Sequence, residues 1–255
     1  MLTRVKSVVV GLVAAGLAGC ASRPPRMTQT PEGPRMTYEV KRLTRPMKID
    51  ADWDKAAWRN VPAVRIDRYM GARPEHIPGV QAKLLYDDHA LYAIFRVEDR
   101  YVRAVAPRHQ AAVCKDSCVE FFFTPGQDVS KGYFNIEMNC GGTMLFHFQI
   151  VPRKNPVEVP AADLERIEVA HTMPRIVDPE IQEPTVWTVE YRVPLDILPR
   201  FYLDARMPAP GVTWRANFYK CADATSHPHW LMWAPIELPR PDFHQPRWFG
   251  VLEFQ

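Results

Sequence analysis

The sequence predicts an all-β fold, an antiparallel two-sheet β-sandwich of jelly-roll type with few short helices. Three observations carry this. From residue 81 onward the chain is a series of short runs rich in Val, Ile, Phe, Tyr and Trp, separated by turn formers or Pro. No stretch sustains a helical apolar period. The 25 Pro against 12 Gly disfavour long helices and fit short strands joined by rigid loops.

The 255 residues, 47% hydrophobic and 24% charged, can bury a sizeable core. They exclude a disordered chain, a collagen-like repeat and a polytopic membrane protein. The formal net charge of +3 is unevenly placed. Arg4 and Lys6 supply two positive charges, and Arg23, Arg26 and Arg35 against Glu32 supply two more, so the chain from Thr37 on carries net −1. The folded part therefore has no electrostatic case for nucleic acid.

Residues 1–19 read as a lipoprotein signal peptide: Arg4 and Lys6 precede an uncharged run, 8–19, too short to span a bilayer. The run ends in Leu17-Ala18-Gly19-Cys20, which resembles the bacterial lipobox. Cys20 is then the expected lipidation site, its acyl chains anchoring the protein by burying CH₂ groups. Ala21 resembles the second residue of lipoproteins sent to an outer membrane. Residues 20–36 are polar and Pro-rich and read as a tether, which leaves 37–255 as the folded domain. The expected location is the cell envelope, in the periplasm or at the outer surface. In that oxidising compartment Cys114, Cys118, Cys140 and Cys221 can pair in three ways, and buried free thiols fit equally well.

The expected strands are 81–86, 91–97, 118–124, 133–139, 143–150, 166–171, 186–193, 213–220 and 247–254. Asp87-Asp88-His89 is a hairpin turn between the first two. Phe134, Ile136 and Met138 alternate with Asn135, Glu137 and Asn139, and after Cys140-Gly141-Gly142 the apolar set resumes at Met144, Phe146 and Phe148. A three-residue loop pairs Asn139 with Thr143 and keeps both apolar sets on one face, whereas a one-residue slip would flip every side chain. The opposite face carries Asn135, Glu137, Asn139, Thr143 and His147. Trp187, Val189, Tyr191 and Val193 likewise oppose Thr188, Glu190 and Arg192, and Trp214, Ala216 and Phe218 oppose Arg215, Asn217 and Tyr219. The polar sides are expected to form an outer sheet face, where an acidic residue at Thr143 would be tolerated. Short helices are expected only at 53–58 and 195–198.

Several segments together resemble the family 9 carbohydrate-binding modules. They are Ile49-Asp50-Ala51-Asp52-Trp53-Asp54 with Trp58, Tyr86-Asp87-Asp88-His89-Ala90-Leu91-Tyr92, and Asp116-Ser117-Cys118-Val119-Glu120-Phe121-Phe122. Tyr133 to Asn139, Trp187-Thr188-Val189-Glu190 with Pro194-Leu195, and a closing Phe249-Gly250-Val251-Leu252 follow in order. The resemblance implies a two-sheet sandwich, often with structural calcium, that binds glycans, commonly at a chain end, and accompanies glycoside hydrolases of carbohydrate breakdown. It implies a sugar held between two Trp rings. Val113 stands at one of those positions and Trp233 at the other, with Glu120 as a polar contact.

Sugars offer hydrogens that stack on aromatic faces and hydroxyls that need paired donors and acceptors. The candidate ligand contacts are Glu120, Asn135, Glu137 and Arg215 for hydroxyls and Trp230 and Trp233 for stacking, with His227, His229, Phe243 and His244 in the same loop. The expected partner is an oligo- or polysaccharide, bound without cleavage by a monomer. Glu120 and Glu137 form the alternative, a glycosidase acid/base pair. Asp50 and Asp52 are the calcium candidates, against a simple role in capping the helix near Trp53. A second alternative is haem, held as in related DOMON-type sandwiches. Met138, Met144 and His147 are near in the hairpin, but Met144 and His147 fall on opposite faces.

Overall fold

A computed structural model describes residues 35–255. The leader, the lipobox with Cys20 and most of the Pro-rich tether lie outside the described residues. In chain order the first strands are β1 (Thr37–Arg42), β2 (Val64–Arg65), β3 (Arg68–Tyr69), β4 (Gly79–Tyr86), β5 (Ala90–Asp99) and β6 (Val102–Ala104). The middle of the chain gives β7 (Cys118–Thr124), β8 (Tyr133–Asn139), β9 (Met144–Gln149), β10 (Val157–Glu158), β11 (Glu168–His171) and β12 (Val177–Ile181). The last are β13 (Thr185–Pro194), β14 (Thr213–Cys221), β15 (Trp230–Met232) and β16 (Gly250–Phe254). Among the described residues, helix is confined to α1 (Ala56–Arg59), α2 (Ala161–Leu164) and four 3₁₀ turns.

The two sheets form one continuous path, β10-β9-β8-β7-β14-β16-β1-β4-β5-β13-β11, and the hinge between them is β1. Residues 37–40 pair with β16, and Lys41 and Arg42 pair with β4, both in parallel. The other ladders are antiparallel. The sequence pattern missed β1 because only Tyr38 and Val40 in it turn inward.

Period-2 alternation builds the core as expected. Phe121 and Phe123 of β7, Phe134 and Ile136 of β8, Phe146 of β9 and Trp214 and Phe218 of β14 meet Leu84, Phe95, Trp187 and Tyr191 of the facing sheet. Phe218 sits in the middle, with ring centroids 5.0 Å from Phe121, 6.1 Å from Phe95 and 6.3 Å from Tyr38. The hairpin has the expected register: Met138 faces Met144, and the Asn139 N–H donates to the Thr143 carbonyl at 3.0 Å. Met144 packs in this core, whereas His147 lies half-buried on the other side of β9, so the two do not converge on one iron.

The polar face differs from expectation. It is not solvated: Asn135, Glu137, Asn139, Thr143, Arg215 and Asn217 are all buried. Loops cross over it, and Met70, Val113, Ile236, Phe243, Trp248 and Phe249 form a second apolar cluster with Phe122, Tyr133 and Tyr219 of the sheet. The polar side chains hold these loops down. The Arg215 Nε donates to the Phe249 and Gly250 carbonyls at 3.2 and 3.1 Å. Asn217 accepts from the Ala234 N–H at 2.8 Å and donates back to its carbonyl at 2.9 Å. Asn139 donates to Asp116 at 2.8 Å, which in turn accepts from the Val105 and Ala106 N–H groups. Most buried polar groups in proteins are paired, and here the covering segments supply many of the partners.

Candidate functional site

One part of this polar face stays open, as a cavity of about 320 Å³. Its lining comes from Glu120, Glu137, Cys221 and Trp230 of β7, β8, β14 and β15, and from Cys114, Arg153, Asp223 and 241–244 in the segments that cover them. The volume is at the small end of ligand pockets, about 300–1,000 Å³, and suits one ring of a small polar ligand.

Glu120 and Glu137 stand directly opposite each other on β7 and β8. Burial, and then the neighbouring Glu137, pushes the Glu120 carboxyl well above the usual carboxylate range. Burial pushes Glu137 up to about 7, although Asn135 donates to it at 3.0 Å. Two carboxyls so placed cannot both ionise cheaply, which favours a proton shared by the pair.

At the rim Arg153 donates to Asp242, Nε to Oδ1 at 3.0 Å. Burial acts to raise Asp242, but hydrogen bonding from Gln245 and the Arg153 guanidinium hold it below the usual range. His244 accepts from, or donates to, the Tyr133 hydroxyl at 2.7 Å, and burial with Arg153 pushes it down to about 3, so its ring is neutral. Trp230 donates its indole N–H to Asp223 at 2.8 Å. The cavity thus presents ionised and neutral carboxyls, a guanidinium, an imidazole and two aromatic side chains, Trp230 and Phe243.

Of the residues singled out in the sequence, the structure brings Glu120, Glu137, Trp230, Phe243 and His244 to the cavity. Asn135 lies beside Glu137 and bonds it, and Arg215 is spent on backbone carbonyls. Trp233 is placed in the core, 3% exposed, edge-on to Phe218 at 5.6 Å. The reason is parity. Trp230 lies opposite Cys221 on the cavity side, and Trp233, three residues on, bonds the Phe218 backbone and turns inward. Val113 is fully buried, and its neighbour Cys114 lines the cavity instead. His227 stacks on Tyr101 at 3.6 Å and His229 meets Lys220 at 2.7 Å, neither at the cavity.

Asp50 and Asp52 lie in a separate loop. The Lys55 ammonium donates to Asp50 Oδ1 at 2.8 Å and also reaches Glu190. Asp52 accepts from the Asp54 N–H at 2.9 Å. Arg153, Asp223 and Asp242 were not foreseen, since nothing in a linear pattern marks charged loop residues that converge from three connections.

All four domain cysteines are free thiols, Cys118, Cys140 and Cys221 buried and Cys114 half-buried. Cys118 and Cys221 face each other across β7 and β14, and the Cys221 thiol donates to Glu120 at 2.9 Å.

No curated relative matches the chain significantly. Among solved structures it is similar to a proposed carbohydrate-binding protein from Bacteroides uniformis ATCC 8492, with 25% identity and a TM-score of 0.78 over 87% of this chain and 100% of that one. It is also similar in fold to a family 9 carbohydrate-binding module from Caldicellulosiruptor kristjanssonii solved with cellotriose, at 16% identity and TM-score 0.59 over 86% of this chain and 94% of that one. The same module solved with glucose matches equally, with 96% of its chain covered. The model of carbohydrate-binding family 9 matches residues 47–254, nearly the whole described domain. The chain therefore belongs to carbohydrate-binding family 9.

Proposed function

We propose that the cavity holds the end unit of a saccharide without cleaving it. The observation that carries this is the mixture of Trp230 and Phe243 with Glu120, Glu137, Asp223, Asp242, Arg153 and His244 around a space of about 320 Å³. Hydroxyls both donate and accept, and this lining offers both roles beside apolar ring faces. The complexes of the C. kristjanssonii module with cellotriose and glucose support a sugar as the ligand class. With one indole at the site, the sugar is gripped on one side only, and affinity is modest.

We further propose that the protein is lipid-anchored through Cys20 in the cell envelope, where it captures glycan for carbohydrate breakdown. The charged leader and Leu17-Ala18-Gly19-Cys20 support this. Replacing Cys20 by Ala should move the protein from the membrane to the soluble fraction. A variant that stays bound with its leader removed rules the anchor out. Calcium at Asp50 and Asp52 is the expected structural ion, which would have to displace the Lys55 ammonium from Asp50; a melting temperature unchanged by chelator removes it.

A glycan array followed by calorimetry on the purified chain tests the binding reading. Binding that Trp230→Ala leaves intact would remove the platform. The paired carboxyls favour one rival, a hydrolase. Sugar release that is lost in Glu120→Gln or Glu137→Gln would establish it.

A further inference from the structure

We propose that Cys118, Cys221 and Glu120 bind a zinc ion beneath the saccharide cavity. The three ligand atoms lie within 4.8 Å of one another, and all three residues are buried. The register places them there. Cys118 and Cys221 are direct cross-strand neighbours, and Glu120 is two residues beyond Cys118, hence on the same face.

The second observation is Glu120 Oε2. It is buried, on a residue 2% exposed, and has no hydrogen-bond partner. Its other oxygen accepts only the weak Cys221 thiol donor among the contacts described. A bound cation would give both oxygens a partner charge. Tetrahedral zinc, with Zn–S about 2.3 Å and Zn–O about 2.0–2.2 Å, needs ligand atoms roughly 3.5–3.8 Å apart; all three lie within 4.8 Å of one another, and the Cys221–Glu120 pair, hydrogen-bonded at 2.9 Å, opens as the thiol loses its proton.

The donor set selects the metal. Two thiolates disfavour calcium and magnesium, the hard carboxylate disfavours copper(I), and of the remaining common divalent ions zinc binds such mixed sites more tightly than manganese or iron. On binding, each thiol releases its proton to solvent and forms one Zn–S bond, and Glu120 binds ionised, the proton of the carboxyl pair staying on Glu137. Glu120 and Cys221 also line the cavity, so the fourth coordination position opens into it. The competing chemistry is a Cys118–Cys221 disulfide. It would remove the one S–H that Cys221 gives Glu120 and leave that buried carboxyl worse paired.

The test uses the full chain, purified under a non-chelating reductant and titrated with cobalt(II) and then zinc(II), with no saccharide present. The expected result is one equivalent of cobalt, showing a thiolate-to-metal charge-transfer band and tetrahedral visible bands, displaced by zinc. Cys118→Ser and Cys221→Ser should abolish the band, whereas Cys140→Ser should keep it, because that thiol is turned to the Arg103 carbonyl. Glu120→Gln, which keeps the side-chain volume, should weaken zinc at least tenfold with an unchanged near-ultraviolet circular dichroism spectrum. Absence of the band in the native chain overturns the proposal, as does its survival in the double Cys118→Ser/Cys221→Ser variant. A Cys118–Cys221 disulfide in the chain isolated without reductant overturns it too. The titrations are run without saccharide, so their outcome does not decide the sugar-binding reading, which calorimetry on the native chain tests separately.

Discussion

Trp230 and Trp233 lie on opposite sides of the same sheet. The first donates its indole N–H to Asp223 at 2.8 Å beside the cavity, and the second packs edge-on against Phe218 in the core. Two Trp residues three positions apart, one on β15 and one just past its end, therefore predict different phenotypes.

Trp230→Ala should lower saccharide affinity by about 0.5–1.5 kcal/mol, roughly two- to thirteenfold, and leave the melting temperature nearly unchanged. Trp233→Ala should destabilise the fold by about 3–5 kcal/mol, because it empties a core site. Calorimetry and denaturant titration read the two effects apart. A Trp233→Ala protein with native stability would contradict its placement in the core.

His244 predicts an acid transition. Its folded value, about 3, lies below the unfolded value near 6.5, because burial and Arg153 oppose the imidazolium. The groups facing it are Tyr133, Gln149, Arg153, Asp242 and His147. The unfolded chain then binds more protons between those values, so this stability is present above pH 6.5 and is lost as pH falls toward 3. By pH 4.5 the loss from this residue is about 2–3 kcal/mol. Stability curves of the native chain and of His244→Gln should differ by this pH-dependent part. Parallel curves would show that the ring protonates freely.

Glu190 predicts a stability loss away from the cavity. It is fully buried and accepts from the Asp50 and Ala51 N–H groups at 2.9 and 2.8 Å, from the Trp58 indole at 2.8 Å and from Lys55. Glu190→Gln turns an amide NH₂ toward these donors and strips Lys55 of its buried partner. The expected cost is about 3–5 kcal/mol, read by denaturant midpoint, with saccharide affinity of the folded fraction unchanged.

The hairpin loop predicts intolerance of any side chain. Gly142 has φ of +79°, and a Cβ there would strike the His171 ring, while one on Gly141 would strike the Arg175 carbonyl. Gly141→Ala and Gly142→Ala should each destabilise by about 1–3 kcal/mol. Thr143→Asp should also destabilise, by a margin comparable to Phe146→Asp, because both positions are buried. Near-native stability of Thr143→Asp would mean that this face is open to water.

The sequence alone determined which residues alternate, and alternation determined the core. Phe134, Ile136 and Met138 against Met144, Phe146 and Phe148 admit one register, because a slip of one residue would expose all of them. The ordered motifs from Ile49 to Leu252 also pointed to the family. What alternation cannot say is what lies on each face. A polar strand face reads the same in sequence whether water or a loop covers it. Tertiary structure laid Phe243, Trp248 and Phe249 over Asn135, Glu137 and Arg215, which buried the face that was expected to be wet. It also decided the site, since Arg153, Asp223 and Asp242 come from loops far apart in the chain. Their convergence depends on loop packing, which follows no local period. The thiol pair has the same origin: Cys118 and Cys221 become neighbours only because β7 and β14 pair across a hundred intervening residues.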